Sequence, residues 1–235
     1  MPVSGGGFDQ CVNAQAGVDT ETMLVLGTHL SQAPNGKQQL EPALAKLMVL
    51  PADLGQATDL LADTGYFSRT NVEACLQQGI EPWLALKRET HHRPMFKRFA
   101  PDTLPPATGD PVERMAHRLT TKTGRALYGL RKQTVEPVFG IIKHIMGFLR
   151  FSTRGLEKVS GEWMLVTLAW NVKRETDEYP KDGVKKGIIR RLTRIPVRPL
   201  DRSRVVLSAT CSRDAAAGWT NASIAPFVSS SPTDS

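Results

Sequence analysis

Leu60-Leu61-Ala62-Asp63-Thr64-Gly65-Tyr66 is the stretch that decides the reading of this 235-residue chain. A short apolar run meets a carboxylate at its end, and Gly65 follows to let the backbone turn. The pattern predicts a buried strand that delivers the Asp63 side chain to the edge of a sheet. The same residue can serve as a simple cap for the turn before the next helix.

Working outward, residues 12–18 and 23–28 are rich in side chains that suit a pleated surface and flank Asp19-Thr20-Glu21-Thr22, so they read as a hairpin. Asn35-Gly36 marks a turn. Leu40, Leu44, Leu47 and Met48 then recur at helical spacing, predicting a helix over 39–50 with Pro42 in its first turn and Pro51 at its end. Downstream, Ser68 can cap a helix to about residue 78, with Val72, Cys75 and Leu76 inward and Gly79 as the stop. Residues 80–86 read as a further strand. Residues 87–123 are basic and Pro-rich and read as an insertion with a helical stretch at 112–119, after which long helices are expected over 124–150 and 156–172. This order predicts a mixed α/β layer structure.

A second stretch, Arg131-Lys132-Gln133-Thr134-Val135-Glu136-Pro137-Val138-Phe139-Gly140-Ile141-Ile142-Lys143, sets one carboxylate among basic and apolar residues. In a continuous helix Lys132, Glu136 and Lys143 share a face. Pro137 disfavours helical geometry at Glu136, so a helix that starts there would leave only Lys143 well placed. Such a face can hold a metal ion beside phosphates, or Glu136 can simply pair with Lys132 on an exposed surface.

Charge is distributed unevenly. Residues 1–86 hold 3 Lys+Arg and 9 Asp+Glu, residues 87–173 hold 16 and 7, and residues 174–235 hold 11 and 7, which sum to the net +7. An acidic part followed by basic segments suits carboxylates gathered around metal beside a surface that meets phosphates. Cys11, Cys75 and Cys211 lie far apart with no CxxC spacing, which fits a reducing cytoplasm. No apolar run approaches the roughly 20 residues of a membrane span. Zinc held by His91, His92, His117 and a cysteine is a rival reading, weakened because adjacent histidines rarely aim at one ion.

Taken together, residues 13–19, 35–40, 61–68 and 131–143, followed by the helix from Gly161-Glu162-Trp163 to Asn171-Val172-Lys173, resemble successive blocks of the DDE transposase domain of bacterial insertion sequences. The likeness covers roughly residues 7–173. It implies an RNase H-like mixed sheet flanked by helices, with two Asp and one Glu binding divalent metal, Mg²⁺ or Mn²⁺, for DNA strand cleavage and strand transfer. Under it, Asp63 is the second Asp and Glu136 the Glu, both catalytic and metal-binding, while Lys143, Tyr128, Arg131 and Lys132 contact DNA. The partners implied are transposon-end and target DNA, with a homodimer in the intact parent and no membrane.

The resemblance also implies a central strand, bearing the first Asp, ahead of the hairpin. Only Asp9 and Asp19 lie nearby, and Asp19 falls in a turn that points it away from Asp63. The chain therefore reads as a truncated copy lacking the first strand, with residues 174–235 a basic, then Ser/Ala-rich, disordered tail. A DNA-binding remnant without catalysis is the alternative reading.

Overall fold

The computed structural model describes residues 11–33, 36–51, 55–87, 104–106, 109–178 and 200–213. The hairpin forms as expected. Strands β1 (Cys11–Asp19) and β2 (Val25–Ser31) pair antiparallel around a turn in which Asp19 Oδ2 accepts hydrogen bonds from the amides of Glu21 and Thr22 and from the Thr22 hydroxyl. A 3-10 turn (Lys37–Gln39) leads into α1 (Leu40–Met48), which buries Leu40, Ala43, Leu44 and Leu47 on one stripe. Then come β3 (Gly55–Ala62), α2 (Arg69–Gln77) and β4 (Glu81–Leu84). The Ser68 side chain caps α2 by accepting from the Asn71 amide, and Gly79, at φ 73, ends it in the left-handed region.

Three helices follow. Within the stretch read as an insertion, α3 (Pro111–Thr120) buries Met115 completely, whereas residues 88–103, with His91 and His92, lie outside the described residues. Helix α4 (Lys122–His144) runs unbroken through Pro137, which sits on an exposed part of its surface. It stops short of the expected residue 150 because Gly147, at φ 73, lets the chain turn while the amides of Met146 and Phe148 take up the carbonyls of Ile141 and Ile142. Helix α5 (Leu156–Glu178) extends past the expected 172.

The largest departure concerns the tail. Residues 200–213, expected to be disordered, form strand β5 (Leu200–Arg213) at the centre of a five-stranded sheet of order β2-β1-β5-β3-β4. β5 runs antiparallel to β1, from Cys11↔Arg213 to Asp19↔Val205, and parallel to β3, with Leu60↔Val205 and Leu61↔Val206. The expected gap between hairpin and β3 is therefore closed by the chain's own C-terminal segment. Physically, an open gap would leave two rows of backbone groups unpaired. Val205, Val206 and Leu207, buried to 0%, 0% and 2%, supply the apolar side chains that hold the strand there.

Alternation along the strands sends side chains to two cores. On one face Ala14, Ala16, Leu61, Trp83 and Val206 pack with Val135, Phe139 and Ile142 of α4 and Val159, Trp163 and Trp170 of α5. On the other, Leu60, Ala62, Leu84, Val205 and Leu207 pack with α1, α2 and Met115. In the first core Phe139 stacks on Trp163 with centroids 5.9 Å apart, and the indole of Trp163 donates to the Gln15 carbonyl at 3.0 Å.

Glu162 fastens the loop that feeds α5. Its carboxylate accepts from the Ser152 amide at 2.8 Å, the Thr153 amide at 3.0 Å and the Thr153 hydroxyl at 2.7 Å, beside Phe151, which packs edge-on against Trp163. Burial pushes this carboxyl's pKa up, but the hydrogen bonds from Ser152 and Thr153 outweigh it and hold the group below its ordinary 4.5. A carboxyl whose folded pKa lies below its unfolded one adds stability above the unfolded value and loses it as pH falls through the folded one. Glu162→Ala is expected to cost about 2 kcal/mol at pH 7. In urea titrations the gap between variant and parent should narrow on acidification below that range; an equal gap at pH 7 and pH 3 would contradict the clamp.

Candidate functional site at the end of β3

Asp63 follows directly on β3 with φ −80 and ψ −179, so the strand's alternation continues through it. It shares the face of Leu61, the face covered by α4 and α5. Its Oδ1 accepts from the Gly65 amide at 2.9 Å and caps the 3-10 turn Thr64–Tyr66. A side chain at 65 would crowd this contact, since its Cβ would lie 3.0 Å from Asp63 Oδ1. The capping role foreseen for Asp63 is thus real, and it leaves the carboxylate held at the C-terminal end of β3.

The rest of the motif is fixed from below. Tyr66 is buried, and its hydroxyl donates to Gln15 Oε1 at 3.1 Å, while Asn71 Nδ2 donates to the Tyr66 carbonyl at 2.6 Å and to the Lys37 carbonyl at 2.8 Å. Burial, and then the charge of Asp63, push the Tyr66 phenol well above its ordinary pKa, so it stays a donor. Gly36 lets the backbone approach closely, because a Cβ on it would sit 3.2 Å from the Gly65 carbonyl oxygen and 3.3 Å from the Tyr66 ring.

Helix α4 reaches the same place from above. The Tyr128 hydroxyl donates to the Ala62 carbonyl at 3.2 Å, and the Arg131 guanidinium lies 5.6 Å over the Tyr128 ring. Arg131 Nε is buried and has no acceptor among the described residues. Tyr128 and Arg131 are therefore brought together beside Asp63. Because α4 is continuous, Lys132, Glu136 and Lys143 occupy one flank of it, and Glu136 lies two turns beyond Tyr128, about 12 Å along the axis. Lys132 and Glu136 are exposed, whereas Lys143 is 8% exposed and burial lowers its ammonium pKa. Asp19 is not part of this group. It pairs with Val205, three rows from Ser208 and on the opposite face from Ala16 and Val18, and its carboxylate serves the hairpin turn. Asp9 lies outside the described residues.

One neighbour of Asp63 was not foreseen. Continuing the β3–β5 register from Leu61↔Val206 by two residues sets Asp63 beside Ser208, and Ser208 in turn pairs with Ala16 of β1. By alternation Ser208 shares the face of Val206, under α4 and α5. The signal was present in Arg204-Val205-Val206-Leu207-Ser208, a β-prone run that straddles the boundary between a basic and a Ser-rich stretch and so was absorbed into both. Among the described residues no group of three or more His, Cys, Asp or Glu is placed to hold a metal ion.

A mixed five-stranded sheet in order β2-β1-β5-β3-β4, with helices on both faces and an Asp at the end of β3, defines an RNase H-like α/β protein. The family model described as "Transposase DDE domain" matches residues 4–172, and the chain belongs to that family. No curated protein and no solved structure matches. The family works on DNA with divalent metal ions. Asp63 with the neutral Ser208 beside it does not by itself make a centre for a divalent cation. Among the described residues no helix is long and apolar enough to cross a membrane.

Proposed function

We propose that this chain is a transposase-family protein that binds DNA at the Asp63 end of its sheet and does not cleave it unaided. Asp63 and Glu136 are two carboxylates of a Mg²⁺ or Mn²⁺ centre, and among the described residues none joins them as a third. The observation that carries the DNA-binding part is the hydrogen bond from Tyr128 to Ala62, with Arg131 laid on the Tyr128 ring. It seats a guanidinium beside the strand that ends in Asp63. A planar fork of donors in that position suits a phosphate oxygen. Lys132, exposed on the same helix, adds a second cation, and residues 87–173 carry 16 Lys+Arg against 7 Asp+Glu.

In this reading the protein contributes positioning rather than bond breaking. Tyr128 and Arg131 fix the DNA backbone, and the buried ring of Tyr66 holds the turn that presents Asp63. Binding through phosphates carries little sequence information and releases counterions. Affinity for a labelled duplex is therefore expected to fall at least tenfold between 50 and 200 mM salt, on the order of what a few phosphate contacts produce. Arg131→Ala should weaken it at every sequence tested. With Mg²⁺ or Mn²⁺ present the duplex should remain intact. Salt-independent binding would remove the phosphate reading, and nicking that disappears in Asp63→Asn would show a working centre.

A further inference from the structure

The disagreement between a carboxylate centre and the residues at hand points to a single position. We infer that Ser208, delivered by β5, is the residue that keeps this site from holding a divalent cation firmly. β5 closes the sheet while setting a neutral side chain beside Asp63. The inference rests on the reading of Asp63 and Glu136 as a retained pair.

The geometry is that of neighbouring strands. β5 and β3 are parallel and in register at Leu60↔Val205 and Leu61↔Val206, so residues 208 and 63 face each other on adjacent strands, with backbones about 4.8 Å apart. Both lie on the face covered by α4, which carries Glu136. Two carboxylates at that spacing repel when alone and converge when a cation sits between them. Hard divalent cations are bound by charged oxygen ligands, and a neutral hydroxyl contributes far less. Serine at 208 therefore lets β5 pack beside Asp63 without electrostatic cost, at the expense of cation affinity. The small side chain of Ala16, its partner across β1, adds no ligand on the other side.

The test measures Mn²⁺ binding to the full chain by the paramagnetic resonance of the free ion, in the parent, Ser208→Asp, Ser208→Asn, Asp63→Asn and the double variant Ser208→Asp/Asp63→Asn. Ser208→Asp is expected to bind at least ten times more tightly than the parent, Ser208→Asn to match the parent, and the double variant to lose the gain. No gain in Ser208→Asp, with parent binding still weakened by Asp63→Asn, overturns the role of position 208 and leaves the retained pair standing. A gain that persists in the double variant overturns the adjacency. Weak binding indifferent to both positions removes the pair itself.

Should the aspartate variant not fold, a second route reads the same geometry. In a background with Cys11 and Cys211 replaced by serine, Asp63→Cys and Ser208→Cys together are expected to form a disulfide on mild oxidation. Their spacing lies within the reach of such a bond. Peptide mapping that finds 63 and 208 unlinked would overturn the inference.

Discussion

A chain ending at Pro199 is expected to lose cooperative folding. That truncation removes β5, the central strand, and with it the backbone partners of β1 along Cys11–Asp19 and of β3 at Leu60 and Leu61. It also strips Val205, Val206 and Leu207, all at most 2% exposed, from the two cores. At roughly 1.5–3 kcal/mol for each fully buried aliphatic side chain, their loss alone comes to about 5–9 kcal/mol. A whole domain is stable by only about 5–15 kcal/mol. The truncated chain should show no sigmoidal thermal transition and a collapsed near-ultraviolet signal from Trp83, Trp163 and Trp170. Val206→Asp, which buries a charge in the middle of the first core, should act in the same direction. A truncated chain that melts cooperatively within a few degrees of the parent would mean that β5 is an accessory to the sheet.

Gly124→Ala is expected to cost at least about 3 kcal/mol, an overpacking penalty at the upper end of the usual range. At the corner between α3 and α4, a Cβ on residue 124 would lie 1.9 Å from the Arg118 carbonyl oxygen and 2.8 Å from its carbonyl carbon. Those are backbone atoms of the last turn of α3 and cannot rotate away. The corner is tied further by Thr121, whose hydroxyl donates to the Arg118 carbonyl at 2.7 Å and accepts from the Gly124 amide at 3.0 Å. The melting temperature should fall by about 6–12 °C. Gly129→Ala and Gly140→Ala are the contrast, because a Cβ at either meets nothing within 4 Å and helix propensity favours alanine by roughly 0.5–1 kcal/mol. Since α4 carries Tyr128 and Arg131, the corner substitution should also weaken DNA binding, whereas the other two should leave it alone.

These two sites mark the limits of what could be read from the chain beforehand. Local patterns carried most elements: the hairpin around Asp19, α2 between Ser68 and Gly79, and β3 ending at Asp63 each have a start, a stop and an apolar stripe within a few residues. The end of α4 was misjudged although Gly147 signals it, because apolar residues continue on both sides of that glycine. β5 was missed for a different reason. Its pairing partners are some 145 to 200 residues away, its apolar run is only three residues long, and nothing local distinguishes it from the polar sequence around it. A central strand is specified by its neighbours, and the neighbours were read as a sheet with a gap.

At the candidate site the same division holds. Asp63 stands out in the sequence as a candidate, Tyr128 and Arg131 only through the resemblance, and the hydrogen bond from Tyr128 to Ala62 ties the three to one end of β3. The burial of Lys143 was not legible, since it depends on packing around the last turns of α4 and not on the helix's own period. Ser208 was invisible without the β3–β5 register, which gives it its place beside Asp63.

Whether Asp63 and Glu136 share a cation is tested by anomalous diffraction from crystals of the full chain soaked in Mn²⁺ at a concentration that fills even a weak site. The expected result is an anomalous peak contacted by oxygens of both Asp63 and Glu136, next to the Ser208 hydroxyl. A peak bound elsewhere, with the two carboxylates facing separate regions of solvent, would contradict it.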